Sequence, residues 1–242
     1  MGKIEWCDKT INPVKGKCPV ACSYCYARRM YDRFKWNPEI RWDSVGYLKN
    51  DWGIATLKKP SKIFVGSTME LFGEWVTRMM RQTIFQVTRR YPQHTFIFLT
   101  KRPDRLAEWS PFPENCWVGV SCTNDVDFTN RAWKYLKNVK ATVKFVSFEP
   151  LLGWRMSVDD TRFTLESAGI NWVIIGQQTP ASVKTAPEMD WIRNIVLAAD
   201  KINVPVFLKD NLVLPPEDWA IRQNEHGQFW PRQEFPKIEV KV

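Results

Sequence analysis

The chain has 242 residues, 44% hydrophobic and 25% charged, and carries 35 Lys+Arg against 26 Asp+Glu for a net charge of +9. That length can bury one sizeable core, and no apolar run approaches the ~20 residues of a bilayer span. "MGKIEWCDKT" lacks a signal-peptide apolar region and places Trp6 where a myristoylation site needs Ser or Thr, so the expectation is a cytoplasmic protein with no membrane partner.

In chain order, a short first strand is expected at "KIEW" (3–6), followed by a cysteine-bearing loop and a helix at "YARRMYDRFKW". Residues 37–61 break the rhythm as an excursion after that helix. Apolar, β-branched and aromatic runs then recur at "KIFVGS" (62–67), "TFIFLT" (95–100), "CWVGVS" (116–121), "VKFVSF" (143–148), "NWVIIG" (171–176) and "PVFLKD" (205–210). Continuous runs of this kind suit strands buried on both faces of a parallel sheet, and Trp172 is expected in its core.

Amphipathic stretches separate the runs. Val76, Met80, Thr83, Val87 and Tyr91 fall on one helical stripe, with Arg78, Arg81 and Arg89 away from it. "DVDFTNRAWKYLKN" starts at a cap in Asn124 or Asp125, and "APEMDWIRNIVLAADKI" carries Pro187 in its first turn. Strand-to-strand spacings of roughly 20 to 35 residues match βαβ units. The fold expected is α/β, a partial (β/α)6–7 barrel, with an open doubly wound sheet as the alternative. Either fold gathers ligands at the C-terminal ends of its strands. Residues 1–210 form this core and 211–242 a tail or lid packed on the same domain, where Pro215, Pro216, Pro231 and Pro236 interrupt the pattern.

The positive balance points to a polyanionic partner, nucleic acid first, against the plainer reading of a basic soluble surface. Trp219 and Trp230 are candidate stacking surfaces for it. Six cysteines in a reducing compartment point to metal or redox chemistry more than to disulfides. Three of them, Cys18, Cys22 and Cys25, form C-x3-C-x2-C in the loop "CPVACSYCY" between the first strand and helix. Thiolates suit zinc and iron. A fourth ligand from Cys7, Cys116 or Cys122 would close a structural zinc site, although zinc knuckles usually pair their cysteines at separated positions. Three thiolates alone instead suit a [4Fe–4S] cluster with one iron left open.

C-x3-C-x2-C with Tyr24 before the third cysteine resembles the signature of the radical SAM superfamily. The strings "IEW", "NPV", "CYA", "FVGSTMELFGEWV", "HTFIFLTKRPDRL", "WVGVSC", "FVSFEPLLG" and "NWVIIG" extend a resemblance over most of the chain to a radical-SAM-like family of phages and bacteria. It implies a radical SAM type of partial barrel, with Cys18, Cys22 and Cys25 holding a [4Fe–4S] cluster whose open iron takes S-adenosylmethionine. An external electron donor would drive cleavage of that cofactor to a 5′-deoxyadenosyl radical, in the host cytoplasm if the chain is phage-encoded. Tyr24 would pack on the adenine side. Gly66, Ser67, Thr68 and Glu70 of "GSTME" stand where the superfamily holds the methionine amine. The chain departs from the family at "SCT" (121–123) and "GQQTP" (176–180), loops on which substrate choice would depend.

Other strand-end residues are candidates from position alone. Lys101, with Arg102, could grip a carboxylate or phosphate; Ser121, Ser147 and Gln177 could bond cofactor hydroxyls; and Glu149 and Lys209 end apolar strands with a charge. Cys122 could donate a hydrogen atom to a substrate radical, against the commoner role of a small buried hydrophobe. Cys116 reads as core, and His94 and His226 as turn residues. Arg28 could touch a ligand, and Arg29, Arg33 and Lys35 form a basic face. The substrate expected is a nucleic-acid base or modified nucleotide, with a small metabolite or peptide, or a zinc-bearing nucleic-acid-binding protein without catalysis, as alternatives.

Overall fold

The computed structural model describes residues 4–212, 221–223 and 229–237, with side chains of the last segment from Pro231 onward. Pro215, Pro216, Trp219 and His226, and the side chain of Trp230, lie outside the described residues. Seven strands make the main sheet: β1 Lys9–Ile11, β2 Lys62–Val65, β3 Thr95–Thr100, β4 Cys116–Cys122, β5 Val143–Phe148, β6 Trp172–Ile175 and β7 Val206–Leu208. They follow one another in chain order without the reversal that defines a doubly wound sheet. The registers β1/β2, β2/β3, β5/β6 and β6/β7 are all parallel. The protein is therefore mixed α/β, with strands wound in a single direction.

The first strand is not at "KIEW": Glu5 and Trp6 lie in a turn, and β1 forms three residues further on. There Thr10 and Ile11 pair in register with Phe64 and Val65, and Asn12-Pro13 ends the strand. Both candidates are short, and only the pairing with β2 separates them.

The chain divides into two compact units, Met1–Gly119 with Asn138–Thr142, and Val120–Lys137 with Val143–Val242. In the first, α1 (Tyr26–Phe34) and α2 (Arg78–Arg90) accompany β1 to β3. Thr77 caps α2 by accepting from Met80 N–H at 3.2 Å. The buried face of α2 is Ile84, Phe85, Val87 and Thr88, rotated from the expected stripe, with Thr83 only half-buried. Phe85 sets the rotation by joining an aromatic cluster with Phe98, Trp109 and Phe112. Residues after α1 return through Arg41–Trp42, paired antiparallel with Val14–Lys15. Further along, buried Asp51 accepts from Arg90 Nη1 at 2.9 Å and Tyr91 OH at 2.7 Å, fastening this segment to the end of α2.

In the second unit, α3 (Val158–Ala168) and α4 (Met189–Asp200) pack on each other, and the helical run 125–136 packs on α3. The N-cap expected at Asn124 forms, its Oδ1 accepting from Asp127 N–H at 2.8 Å. Pro187 lies directly before the cap Glu188 and two residues ahead of α4, outside the first turn. Lys144 is drawn inward, where Nζ donates to Leu136 O at 3.1 Å and to Ala168 O at 2.6 Å and so closes two helix ends. Burial pushes its pKa down.

Strand alternation puts Phe145, Ser147 and Glu149 on one face of the sheet, with Trp172 in register beside Phe145. The tail covers the start of that face. Gln233 bridges to Phe207, Trp172 Nε1 donates to Glu234 O at 2.8 Å, and the Phe235 ring lies 5.4 Å from Trp172 and 5.3 Å from Phe207. Phe235→Ala is expected to lower stability by about 2 kcal/mol, read as a lower urea midpoint. An unchanged midpoint would show that the tail contributes nothing to the folded state.

Candidate functional site

In the first unit, the turns that follow β1, β2 and β3 lie at one edge of the sheet, and most of the expected site residues sit on them. Asn12 follows β1. Its Oδ1 accepts from Thr68 N–H and Thr68 Oγ1, each at 3.0 Å, and its Nδ2 lies 3.2 Å from Ser67 Oγ. Tyr26 OH donates to Ser67 O at 2.8 Å from the first turn of α1. Gly66 opens this loop at φ +86°, and a Cβ there would fall 2.6 Å from Leu71 Cγ, so the turn needs glycine. Ser67 and Thr68 are thus oriented before any ligand arrives, and both hydroxyl oxygens keep capacity to accept.

Glu70 is buried at the centre of the edge. Its Oε1 accepts from Phe72 N–H at 2.9 Å and Thr100 Oγ1 at 2.8 Å, and its Oε2 from Lys101 N–H at 2.7 Å. Burial pushes the carboxyl pKa up, while these three donors pull the other way. A carboxylate accepts about four hydrogen bonds, so one site remains on Oε2 for an incoming donor. Lys101 leaves the same junction with its Nζ 5.4 Å from the centre of the Tyr24 ring, which brings two expected residues together.

The cysteine loop reaches this edge. Burial raises the Cys18 thiol pKa, the nearby backbone N–H groups of Glu70 and Val20 pull it the other way, and the charges of Glu70 and Cys25 add to the rise. Cys25 caps α1, its sulfur accepting from Arg28 N–H at 3.4 Å. Arg28 Nη1 turns back to Cys18 O at 3.3 Å, which gives Arg28 a structural task in the loop. All six cysteines are free thiols, and Cys18, Cys22 and Cys25 are half-buried. Among the described residues, no three His, Cys, Asp or Glu side chains are already grouped as metal ligands. The donor chemistry nonetheless fits a thiophilic iron or zinc centre, because three free thiols share one loop of eight residues closed at its end by a helix cap.

The remaining cysteines are placed differently. Cys116 begins β4, at the opposite edge, and burial pushes its thiol up to about 12. Cys7 is buried with its sulfur 3.7 Å from Ile4 O. Cys122 ends β4 fully buried, in the second unit.

That unit carries its own polar edge. Glu149, Gly176 and Lys209 stand in register just past β5, β6 and β7, and Lys209 Nζ donates to Glu149 Oε1 in an ion pair. A Cβ on Gly176 would lie 2.8 Å from Lys209 Cδ and 3.3 Å from Glu149 Cγ, so glycine admits the pair. Ser121 Oγ reaches Glu149 O at 3.5 Å. Ser147 is fully buried, and its hydroxyl has no partner among the described residues. Gln177 donates through Nε2 to Ser182 O and Thr185 Oγ1, and Asn211 brackets its backbone at 3.2 and 2.8 Å. Sequence reasoning missed Asn12, Tyr26, Thr100 and Asn211. Their only signal was position just after or at the end of a strand, or, for Tyr26, directly behind the third cysteine.

These features define an α/β protein with strands wound in one direction and a three-thiol loop at a strand-end edge. Residues 1–235 match the family described as "Protein of unknown function (DUF5131)", and the chain belongs to that family. A search of curated proteins returns no significant match.

The Glu70 junction predicts its own sensitivity. In Glu70→Gln, the amide NH2 must face a backbone N–H of Phe72 or Lys101 and leave it unpaired. A loss of about 1–3 kcal/mol is expected in urea unfolding. A loss under about 0.5 kcal/mol, the ordinary scatter of surface substitutions, would contradict the junction.

Proposed function

We propose that the protein is a radical SAM enzyme on a partial barrel, acting on a nucleic-acid base or modified nucleotide. The observation that carries the reading is the C-x3-C-x2-C loop meeting the C-terminal edge of β2 and β3, through Tyr26 OH on Ser67 O and Lys101 Nζ over the Tyr24 ring. Cys18, Cys22 and Cys25 would hold a [4Fe–4S] cluster. When bound with S-adenosylmethionine and fed by an external electron donor, that cluster supplies a 5′-deoxyadenosyl radical for hydrogen abstraction.

The chain's own residues bind and orient. Ser67, Thr68 and the remaining acceptor site of Glu70 are oxygen acceptors held in fixed positions by Asn12, Tyr26 and Thr100. They suit an ammonium group. Lys101, lying against Tyr24, supplies a cation beside them for a carboxylate. The buried setting of Glu70 strengthens its contacts by keeping the local dielectric low. In the second unit, Ser147 and the Oε1 of Gln177 are buried polar atoms with no partner among the described residues, and Glu149 has a second carboxylate oxygen beside the one Lys209 holds. These groups suit hydroxyl and amine contacts. No helix among the described residues is long and apolar enough to cross a membrane.

Anaerobic purification after iron–sulfide reconstitution tests the proposal. About four irons per chain are expected, with a brown chromophore bleached by dithionite and 5′-deoxyadenosine formed from S-adenosylmethionine. Alanine at Cys18, Cys22 or Cys25 should abolish both iron retention and 5′-deoxyadenosine, whereas Cys7→Ala and Cys116→Ala should keep them. A colourless protein with one tightly held zinc would overturn the reading in favour of a non-catalytic zinc protein.

A further inference from the structure

The end of α1 presents an arrangement that neither the thiol loop nor the strand-end edge uses. Residues 32–40 are exposed throughout, and among them are two large aromatic side chains, Phe34 at 53% and Trp36 at 44% exposure. Their rings lie 5.5 Å apart at an interplanar angle of 23°, a stacked pair standing in solvent. Burying one of these rings would be worth ~2 kcal/mol, so leaving both exposed needs a reason.

The pair is held in place. Lys35 adopts the left-handed conformation, φ 49° and ψ 40°, which folds the chain back so that Trp36 N–H meets Tyr31 O at 3.2 Å. The edge of Tyr31 then meets the Trp36 ring at 5.3 Å and 86°. Tyr31 is itself fixed by Gly16 N–H at 2.9 Å, and Lys17 N–H donates to Pro38 O at 2.9 Å from the same segment. Rings fixed before binding lose little entropy when a partner arrives.

The surroundings are cationic. Residues 15–41 carry Lys15, Lys17, Arg28, Arg29, Arg33, Lys35 and Arg41 against Asp32 and Glu39. Lys15 is paired with Asp43 and Lys17 with Asp32, while Arg33 and Lys35 have no carboxylate partner among the described residues. The Arg33 guanidinium lies 5.4 Å from the Phe34 ring centre. Flat exposed rings framed by unpaired cations match the chemistry of stacked bases on a phosphate chain. An isolated apolar pair would suit a protein partner, but the charge around this one selects a polyanion.

We infer that Phe34 and Trp36 form a base-stacking platform for single-stranded nucleic acid, with Arg33 and Lys35 as its phosphate contacts. The nine residues of α1 separate this platform from Cys25 by about 13 Å of helix, a distance that two or three extended nucleotides span. Calling that strand the substrate rests on the radical SAM reading; its binding does not.

The experiment uses the full chain before cluster loading, titrated into fluorescein-labelled dT12, rU12 and a 12-base-pair duplex at low salt. Anisotropy should rise with dT12 or rU12 well before the duplex. Trp36→Ala should weaken single-strand binding by about tenfold, and Trp36→Phe should restore most of it. Lys35→Gly suits the left-handed position, so it should fold at least as well while reducing the salt slope of binding by ~0.7. Wild-type binding that prefers the duplex, is lost at low salt, or is matched by Trp36→Ala would overturn the platform. So would Trp36-dependent capture by anionic vesicles or Trp36-dependent dimerisation without nucleic acid. Iron content and 5′-deoxyadenosine formation in reconstituted Trp36→Ala should equal wild type. If single strands bind but wild type holds no iron, only the radical reading fails; if iron and 5′-deoxyadenosine are present without single-strand binding, only the platform does.

Discussion

The buried carboxylate of Glu70 is the constraint on which the edge of the first unit depends. Removing a carboxylate from water costs several kcal/mol, and nothing apolar around it returns that. Its three donors do, at about 1.5–3 kcal/mol for each hydrogen bond to a charged group. Two of the donors are backbone N–H groups on either side of the site, Phe72 after β2 and Lys101 after β3, and the third is the hydroxyl that ends β3. The side chain therefore does the work of a backbone ladder beyond the point where the two strands stop pairing. The ends of β2 and β3 are thereby joined by one side chain.

Much of this could be read from the sequence, for identifiable reasons. Continuous apolar runs marked β3 and β5 to the residue, because strands buried on both faces need an apolar side chain at nearly every position. The cysteine loop was legible from spacing alone, since few other structures need three thiols so close together. By contrast, α3 went unnoticed. "VDDTRFTLESA" has little apolar periodicity, and its ends are set by the Ser157 cap and by Gly169 at φ +65°. Partners 30 and 55 positions apart, such as Thr100 to Glu70 and Asn12 to Ser67, leave no local trace. Asn after a strand is also an ordinary turn residue, so its chemistry emerges only when the fold brings the loop to it.

The second unit resolves an equivalent problem by other means. Past its last paired residues, β5 to β7 carry an opposite-charge pair, Glu149 and Lys209, with glycine between them in register. Lower on the same face, Phe145, Trp172, Phe207 and Phe235 close the sheet with aromatic packing. The boundary between dry and polar falls near Ser147, whose hydroxyl is buried and without a partner among the described residues. An unsatisfied buried hydroxyl is destabilising by about 1–3 kcal/mol, a cost that folding alone does not require.

Taken with the first unit, this suggests how the labour is divided along the chain. Residues that fix the fold hold several partners each: Glu70 three donors with one acceptor site left, Asn12 the loop it holds, Lys144 two helix ends. Of the buried atoms without partners among the described residues, Ser147 Oγ and Gln177 Oε1 belong to positions next to strand ends, whereas Trp52 Nε1, Arg105 Nη1 and Trp154 Nε1 lie elsewhere, and the exposed stacked rings belong to the end of α1. Buried atoms and exposed rings of this kind are left open at a cost in stability. Incompleteness alone therefore does not mark a binding site; at Ser147, Gln177 and the α1 rings it gains weight because it coincides with strand-end position or with surrounding charge, which is what the proposed function and the stacking platform draw on.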